Sequence, residues 1–109
     1  MLRLPAPSTR FRAPTKSALA LALPARACVA VTPSDAANLA VYAKALRVYV
    51  PANISGGVAT VVVTPLLAAS DGDTVTLSLP PGIAIEPLAV RRVWATGTSA
   101  GIAIHAYTA

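Results

Sequence analysis

The sequence predicts an all-β fold, a small antiparallel sandwich or barrel behind a mostly disordered N-terminal extension. Three observations predict it. Apolar residues from 45 onward recur with a period of two rather than the 3.6 of a helix. The run Val58 to Thr64 is β-branched at six of its seven positions, the composition of a strand covered on both faces. Turn residues punctuate the rest at intervals of roughly 8 to 12 residues, which suits about five or six short strands in a sandwich or barrel.

Taken in order, residues 1–30 form a basic extension and 31–109 the β-sandwich domain. The extension, MLRLPAPSTRFRAPTKSALALALPARACVA, holds Arg3, Arg10, Arg12, Lys16 and Arg26 and no acid. Three readings of it stay open. It has the layout of an export signal, with a basic start, an apolar stretch Ser17 to Leu23 and Ala25-Arg26-Ala27 before Cys28. Pro24 directly after the apolar stretch and an arginine inside the cleavage triplet speak against that. It also suits a disordered basic arm lying on an acidic partner or nucleic acid. The third reading is an unstructured extension, or a start codon placed too early, with no role.

In the domain, Thr32-Pro33-Ser34-Asp35 carries turn and cap chemistry, so a short helical turn is expected to start within Ala36 to Leu46. The period then becomes two, with Leu46, Val48 and Val50 on one face and Arg47 and Tyr49 on the other. Asn53 to Gly57 is a loop whose two glycines are free to take positive φ. After the β-branched strand, Pro65 to Ser70 breaks the pattern and Asp71-Gly72-Asp73 turns the chain. Thr74 to Leu79 alternates, Val75, Leu77 and Leu79 inward. Pro80-Pro81-Gly82 is a turn, Ile83 to Ile85 a short apolar run, and Pro87 confines the next segment to an edge or a strand start. Val90 to Ala95 and Ile102 to Thr108 are strands joined by a loop from Thr96 to Gly101.

Composition narrows the function. The 109 residues make one small domain, 55% hydrophobic but with 24 alanines that add little core volume. A mean hydropathy of +0.64 is high, yet no apolar run reaches the roughly 18 residues of a membrane span. Surplus apolar surface of this kind is most simply hidden between subunits. The net charge of +5 belongs to the first thirty residues, because Lys44, Arg47, Arg91 and Arg92 balance Asp35, Asp71, Asp73 and Glu86. Cys28 is the one cysteine, so no internal disulfide forms.

Chemistry finds little footing. No cofactor or metal is expected: His105 and Cys28 stand alone, and Asp71-Gly72-Asp73 reads as turn residues before it reads as a calcium loop. His105 is in phase with Tyr107 and out of phase with Ile102 and Ile104, which places it on the less buried face. A nucleophile such as Ser99 or Cys28 would need that imidazole as its base and a third group to orient it. No GxxxxGK phosphate loop is present. Nucleic acid is not favoured by a neutral domain, and no small-molecule substrate or membrane partner is implied. Arg47, Tyr49, Arg91, Arg92, Trp94, His105 and Tyr107 are the candidate interface residues, arginine and aromatics being enriched at protein interfaces. Of the paired arginines, on opposite faces by alternation, one is expected to reach solvent or a neighbour and the other to lay its stem along Trp94.

The order Ala43 to Val50, a glycine-bearing loop, Gly72-Asp73-Thr74-Val75-Thr76-Leu77, Pro81-Gly82, then RRVWATGTSA (Arg91 to Ala100) and an apolar closing strand resembles the spike base protein family of gene transfer agent and tailed-phage heads. The resemblance runs from about Val31 to Ala109. It implies a non-enzymatic, small antiparallel β-sandwich (jelly-roll-like) that assembles with itself at head vertices and carries a spike or fibre protein on the capsid protein. It also implies a place on the head surface of a particle assembled in the bacterial cytoplasm. The rival expectation is an exported β-sandwich binding module with its N-terminal signal removed, in which Tyr49, His105 and Tyr107 face a ligand.

Overall fold

A computed structural model of the chain describes residues 24–109. The apolar stretch and basic start on which the export-signal reading depends, and the order of the arm before Pro24, lie outside the described residues. Seven strands form: β1 (Ala27–Ala30), β2 (Ala45–Val50), β3 (Ala59–Pro65), β4 (Val75–Leu79), β5 (Gly82–Glu86), β6 (Val90–Val93) and β7 (Ala103–Thr108). They lie in two antiparallel sheets, one ordered β1-β7-β2-β5 and the other β4-β3-β6. The all-β sandwich is therefore what the chain adopts, and among the described residues the helical content is a single 3-10 turn, Ser55–Gly57.

The pairings are nested. β3 pairs with β4, β2 with β5 and β1 with β7. Between the last two shells the stretch 34–43 pairs with β6: Ser34 N–H donates to Val93 O, Leu39 N–H to Arg91 O, and Ala43 and Val90 exchange bonds of 3.0 and 3.1 Å. The whole domain is thus one long antiparallel hairpin with its tip at residues 66–74. It is rolled up so that β2 also meets β7 and β3 also meets β6. This is jelly-roll connectivity with one of its eight strands reduced to an irregular rail.

Alternation determines the core. Leu46, Val48 and Val50 point inward from β2, and Ala59, Val61 and Val63 from β3, all fully buried with Val90, Val93, Ile104 and Ala106. Burying each such valine or leucine contributes about 1.5–3 kcal/mol. β-Branched side chains fill most of this core. Ala43, Ala59 and Ala106 are the alanines among its buried positions.

Three expectations are corrected. Ala27–Ala30, assigned to the extension, is strand β1, held to β7 from Arg26 N–H on Thr108 O (2.8 Å) to Val31 N–H on Ile104 O (2.9 Å). No helical turn forms after Asp35: Ser34 Oγ accepts from Ala36 N–H in a local turn, and the Asp35 carboxylate instead takes Ala95 N–H and Thr96 N–H, each at 2.9 Å. Cap chemistry was present but served a distant loop. In β4 the alternation is graded along the strand, Leu79 being buried, Leu77 half-buried and Val75, at the end next to the hairpin tip, exposed.

Candidate functional site

The paired arginines emerge at an irregularity. Thr64 faces Arg92 but Pro65 faces Val90, so Arg91 is an extra residue in β6. A bulge re-aims side chains, and Pro65, with no N–H to give, suits the interrupted ladder. Arg91 and Arg92 consequently do not diverge as alternation required. Arg91 Nε donates to Asp71 Oδ1 at 2.9 Å, and its Nη1 to Leu66 O and Ala68 O at 3.1 and 2.9 Å. Arg92 Nη2 reaches Asp71 Oδ2 at 3.4 Å, Nε donates to Asn38 Oδ1 at 2.8 Å and Nη1 to Asp35 O at 3.1 Å. The Arg92 guanidinium lies 4.9 Å from the Trp94 ring centre, a cation–π contact by the head group where the stem of one of the pair was expected along Trp94. Trp94 Nε1–H donates to buried Thr64 Oγ1 at 2.8 Å, and Thr64 donates onward to Asp71 O at 2.6 Å.

The loop after Trp94 is as fully used. Trp94 N–H and Ser99 N–H donate to Val62 O and Thr60 O, while Thr98 Oγ1 and Ser99 Oγ accept from Val62 N–H and Thr60 N–H. Hydroxyls thus extend the β3 ladder past the end of β6. Asp35 is held below the ordinary carboxylate value, first by the Thr96 hydroxyl donating to it and then by the backbone N–H of Thr96. Arg91, Arg92 and Trp94 therefore serve the interior of the domain: they fasten the hairpin tip and rail to β6.

The other four candidates come together elsewhere, on the outer face of the four-stranded sheet. Register gives three rows across it: Ala30, His105, Arg47 and Ile85; Cys28, Tyr107 and Ala45; and Ala103, Tyr49 and Ile83. Tyr49, Ile83 and Ile85 are 45%, 60% and 57% exposed. Arg47 is the one permanently charged side chain in these rows. Ile83 and Ile85 carry most of the apolar surface and were not singled out from the sequence. The signal available was the small residues in phase opposite them, Gly82 and Ala84, which leave only the isoleucine side of β5 able to present bulk.

A second feature lies at the sheet's free edge. Beside β1 lies an apolar cavity of about 440 Å³ lined by Val29, Val31, Leu39, Val41, Val93 and Ala106 among others. Val29 and Val41 are 47% and 57% exposed at its mouth.

Metal and acid–base chemistry have little to work with. Asp71 is shared by two guanidiniums and Asp73 Oδ2 accepts from Ser70 N–H within the turn. His105 Nδ1 is buried with no hydrogen-bond partner, whereas a catalytic imidazole needs that nitrogen oriented. Among the described residues no group of three metal-ligating side chains occurs, and no helix is long and apolar enough to cross a membrane.

No protein-family model matches the chain, and neither does a curated protein. Among solved structures the chain is similar to one in the capsid of a native GTA (gene transfer agent) particle computed with C5 symmetry. The identity is 32% and the TM-score 0.59, over 80% of this chain and 87% of that one.

Proposed function

We propose, for a chain that belongs to the same family as that gene transfer agent capsid chain, a structural role in a phage-like head. It serves as a spike base or decoration protein that assembles with itself at capsid vertices and anchors a spike or fibre. The observation that carries this reading is the match itself, which combines identity of 32% with coverage of most of both chains. The site supports it from the chemical side. An uncharged-to-weakly-basic sheet face with exposed Tyr49, Ile83 and Ile85 is built to be covered, and patches of this kind mark protein contacts.

Geometry limits what that face does alone. Four strands about 4.8 Å apart and three side-chain positions per strand span about 19 by 14 Å, or about 270 Å². A stable pair buries about 800 Å² on each partner. The face is therefore one contact among several in a multi-copy arrangement.

The test is to purify particles from the source organism and measure this chain in them by mass spectrometry, together with its intact mass. The expected result is a full-length chain, with or without Met1, at a fixed ratio to the principal head protein. An Ile83→Asp/Ile85→Asp chain that folds normally is expected at least tenfold depleted from particles. A chain absent from particles, and found cut near Cys28 outside the cell, would overturn the reading in favour of the exported binding module.

A further inference from the structure

We propose that residues 17–23 of one copy add as a strand to the free edge of β1 in a neighbouring copy, with Leu19, Leu21 and Leu23 filling that copy's cavity. The inference rests on the self-assembly part of the proposed function and names the segment that links the copies.

The receiving edge is built for a strand. Val31 N–H donates to Ile104 O, which sets the phase of the β1–β7 ladder so that the N–H and C=O groups of Cys28 and Ala30 point away from β7. No described strand covers them, and all four residues of β1 are exposed. An open edge of this kind is a template for another extended segment. On the inward side of that edge lies the cavity of about 440 Å³ with mainly apolar walls. It is nearly three times the ~150 Å³ apolar void that takes up a benzene ring.

The incoming segment has the matching pattern. Ser17-Ala18-Leu19-Ala20-Leu21-Ala22-Leu23 alternates leucine with alanine, so an extended chain puts three leucines on one face and only small residues on the other. Pro14 and Pro24 bound it, and seven residues are too few for an isolated helix.

Local chemistry disfavours the segment's return to its own β1. The pairing of β1 with β7 begins at Arg26 N–H, which leaves Pro24 and Ala25 as the connection from Leu23. Two-residue hairpin loops need positive φ at their first central residue, and proline fixes φ near −65°. A three-residue loop, Pro24 to Arg26, needs its last residue in the left-handed region, whereas no described non-glycine residue has positive φ, and a loop of four residues or more takes up Leu23. Turn chemistry thus favours the same groove on the next copy as the complementary site. Such a head-to-tail contact closes into a ring when the rotation between copies permits.

The test uses full-length chains. One variant blunts the arm, Leu19→Asp/Leu21→Asp/Leu23→Asp, and a second blocks the groove, Val41→Arg, with Val29→Arg in reserve should Val41→Arg unfold. Circular dichroism checks that each retains the wild-type β spectrum, and sedimentation velocity at tens of micromolar reads the mass. The wild-type chain is expected to self-associate and each variant alone to do so at least tenfold more weakly. An equimolar mixture is expected to restore a species of twice the 11.0 kDa chain mass, because one variant supplies the arm and the other the groove. An arm-blunted chain that assembles like wild type overturns the proposal, as does a mixture that stays monomeric, or a monomeric wild type. Incorporation into particles, measured separately, keeps the two readings apart: arm-independent incorporation sinks only the strand exchange, and arm-dependent rings that never enter particles sink only the head assignment.

Discussion

Arg91→Ala tests whether the arginine pair belongs to the fold or to a partner. Arg91 makes an ion pair with Asp71 and donates to two carbonyls of the hairpin tip, Leu66 O and Ala68 O. Its side chain is 17% exposed and that of Asp71 46%, so the contact is partly screened and the value for an ordinary rather than a charged hydrogen bond applies. At about 1 kcal/mol net for each bond, the three together come to about 3 kcal/mol. After the loss Asp71 keeps Arg92 and water can reach both carbonyls, which rules out the larger penalty of a stranded buried charge. For a domain of this size each kcal/mol moves Tm by about 4–8 °C, giving a fall of about 12–24 °C. Urea unfolding followed by Trp94 fluorescence and by circular dichroism measures it, with an unchanged m-value expected. Arg91→Lys keeps the charge but not the fork and should recover less than half of the loss. An Arg91→Ala chain within about 0.5 kcal/mol of wild type, the ordinary range for an uninvolved surface site, would refute the structural assignment and return Arg91 to the interface.

Other substitutions probe other parts of the molecule. Gly97→Ala places a Cβ 2.9 Å from Val62 Cγ2 at a φ of +88°, so it should cost about 1–3 kcal/mol by the same unfolding assay. Leu46→Ala empties a fully buried position and should cost about 2–5 kcal/mol. Asp35 has its pKa lowered in the folded chain, so its carboxylate stabilises the fold above its ordinary value of 3.8, and that contribution disappears as pH falls through the lowered value. The stability advantage of wild type over Asp35→Asn should accordingly be constant near neutrality and vanish in strong acid. Tyr49→Ser, on an exposed position of β2, should leave unfolding within about 0.5 kcal/mol of wild type while lowering incorporation into particles.

Much of this fold could be read from the sequence because a two-residue period reports directly which side of a strand is buried. Leu46, Val48 and Val50 inward with Arg47 and Tyr49 outward is one such case. The β-branched run of β3 forecast cover on both faces; Ala59, Val61 and Val63 are buried, but Thr60 and Val62 on the other face are half-buried, with Gly97 against Val62. What escaped was set by contacts distant in sequence. β1 is four residues long and contains two alanines, so nothing local marks it, and its existence depends on β7 needing a partner. Asp35 looks like a helix cap until its true recipients, sixty residues away, are in place. The candidate interface divided for the same reason. Simple alternation separated Arg91 from Arg92, whereas the bulge opposite Pro65 turned both to Asp71, and a bulge in β6 is determined by the strand beside it. Ile83 and Ile85 were visible as apolar residues, but their outward direction required the register with β2.

The nested hairpin has a mechanical consequence. Because β1 and β7 are antiparallel neighbours and carry the two ends of the described domain, tension between those ends loads their hydrogen bonds one at a time, as in opening a zipper, rather than all together in shear. Resistance to a pull then depends on direction. A load entering through β1 and leaving through the outer sheet face, at Tyr49 and Ile85, would instead pass across several strands at once. A component that tethers something exposed to drag would hold best when its attachments are arranged along that second path.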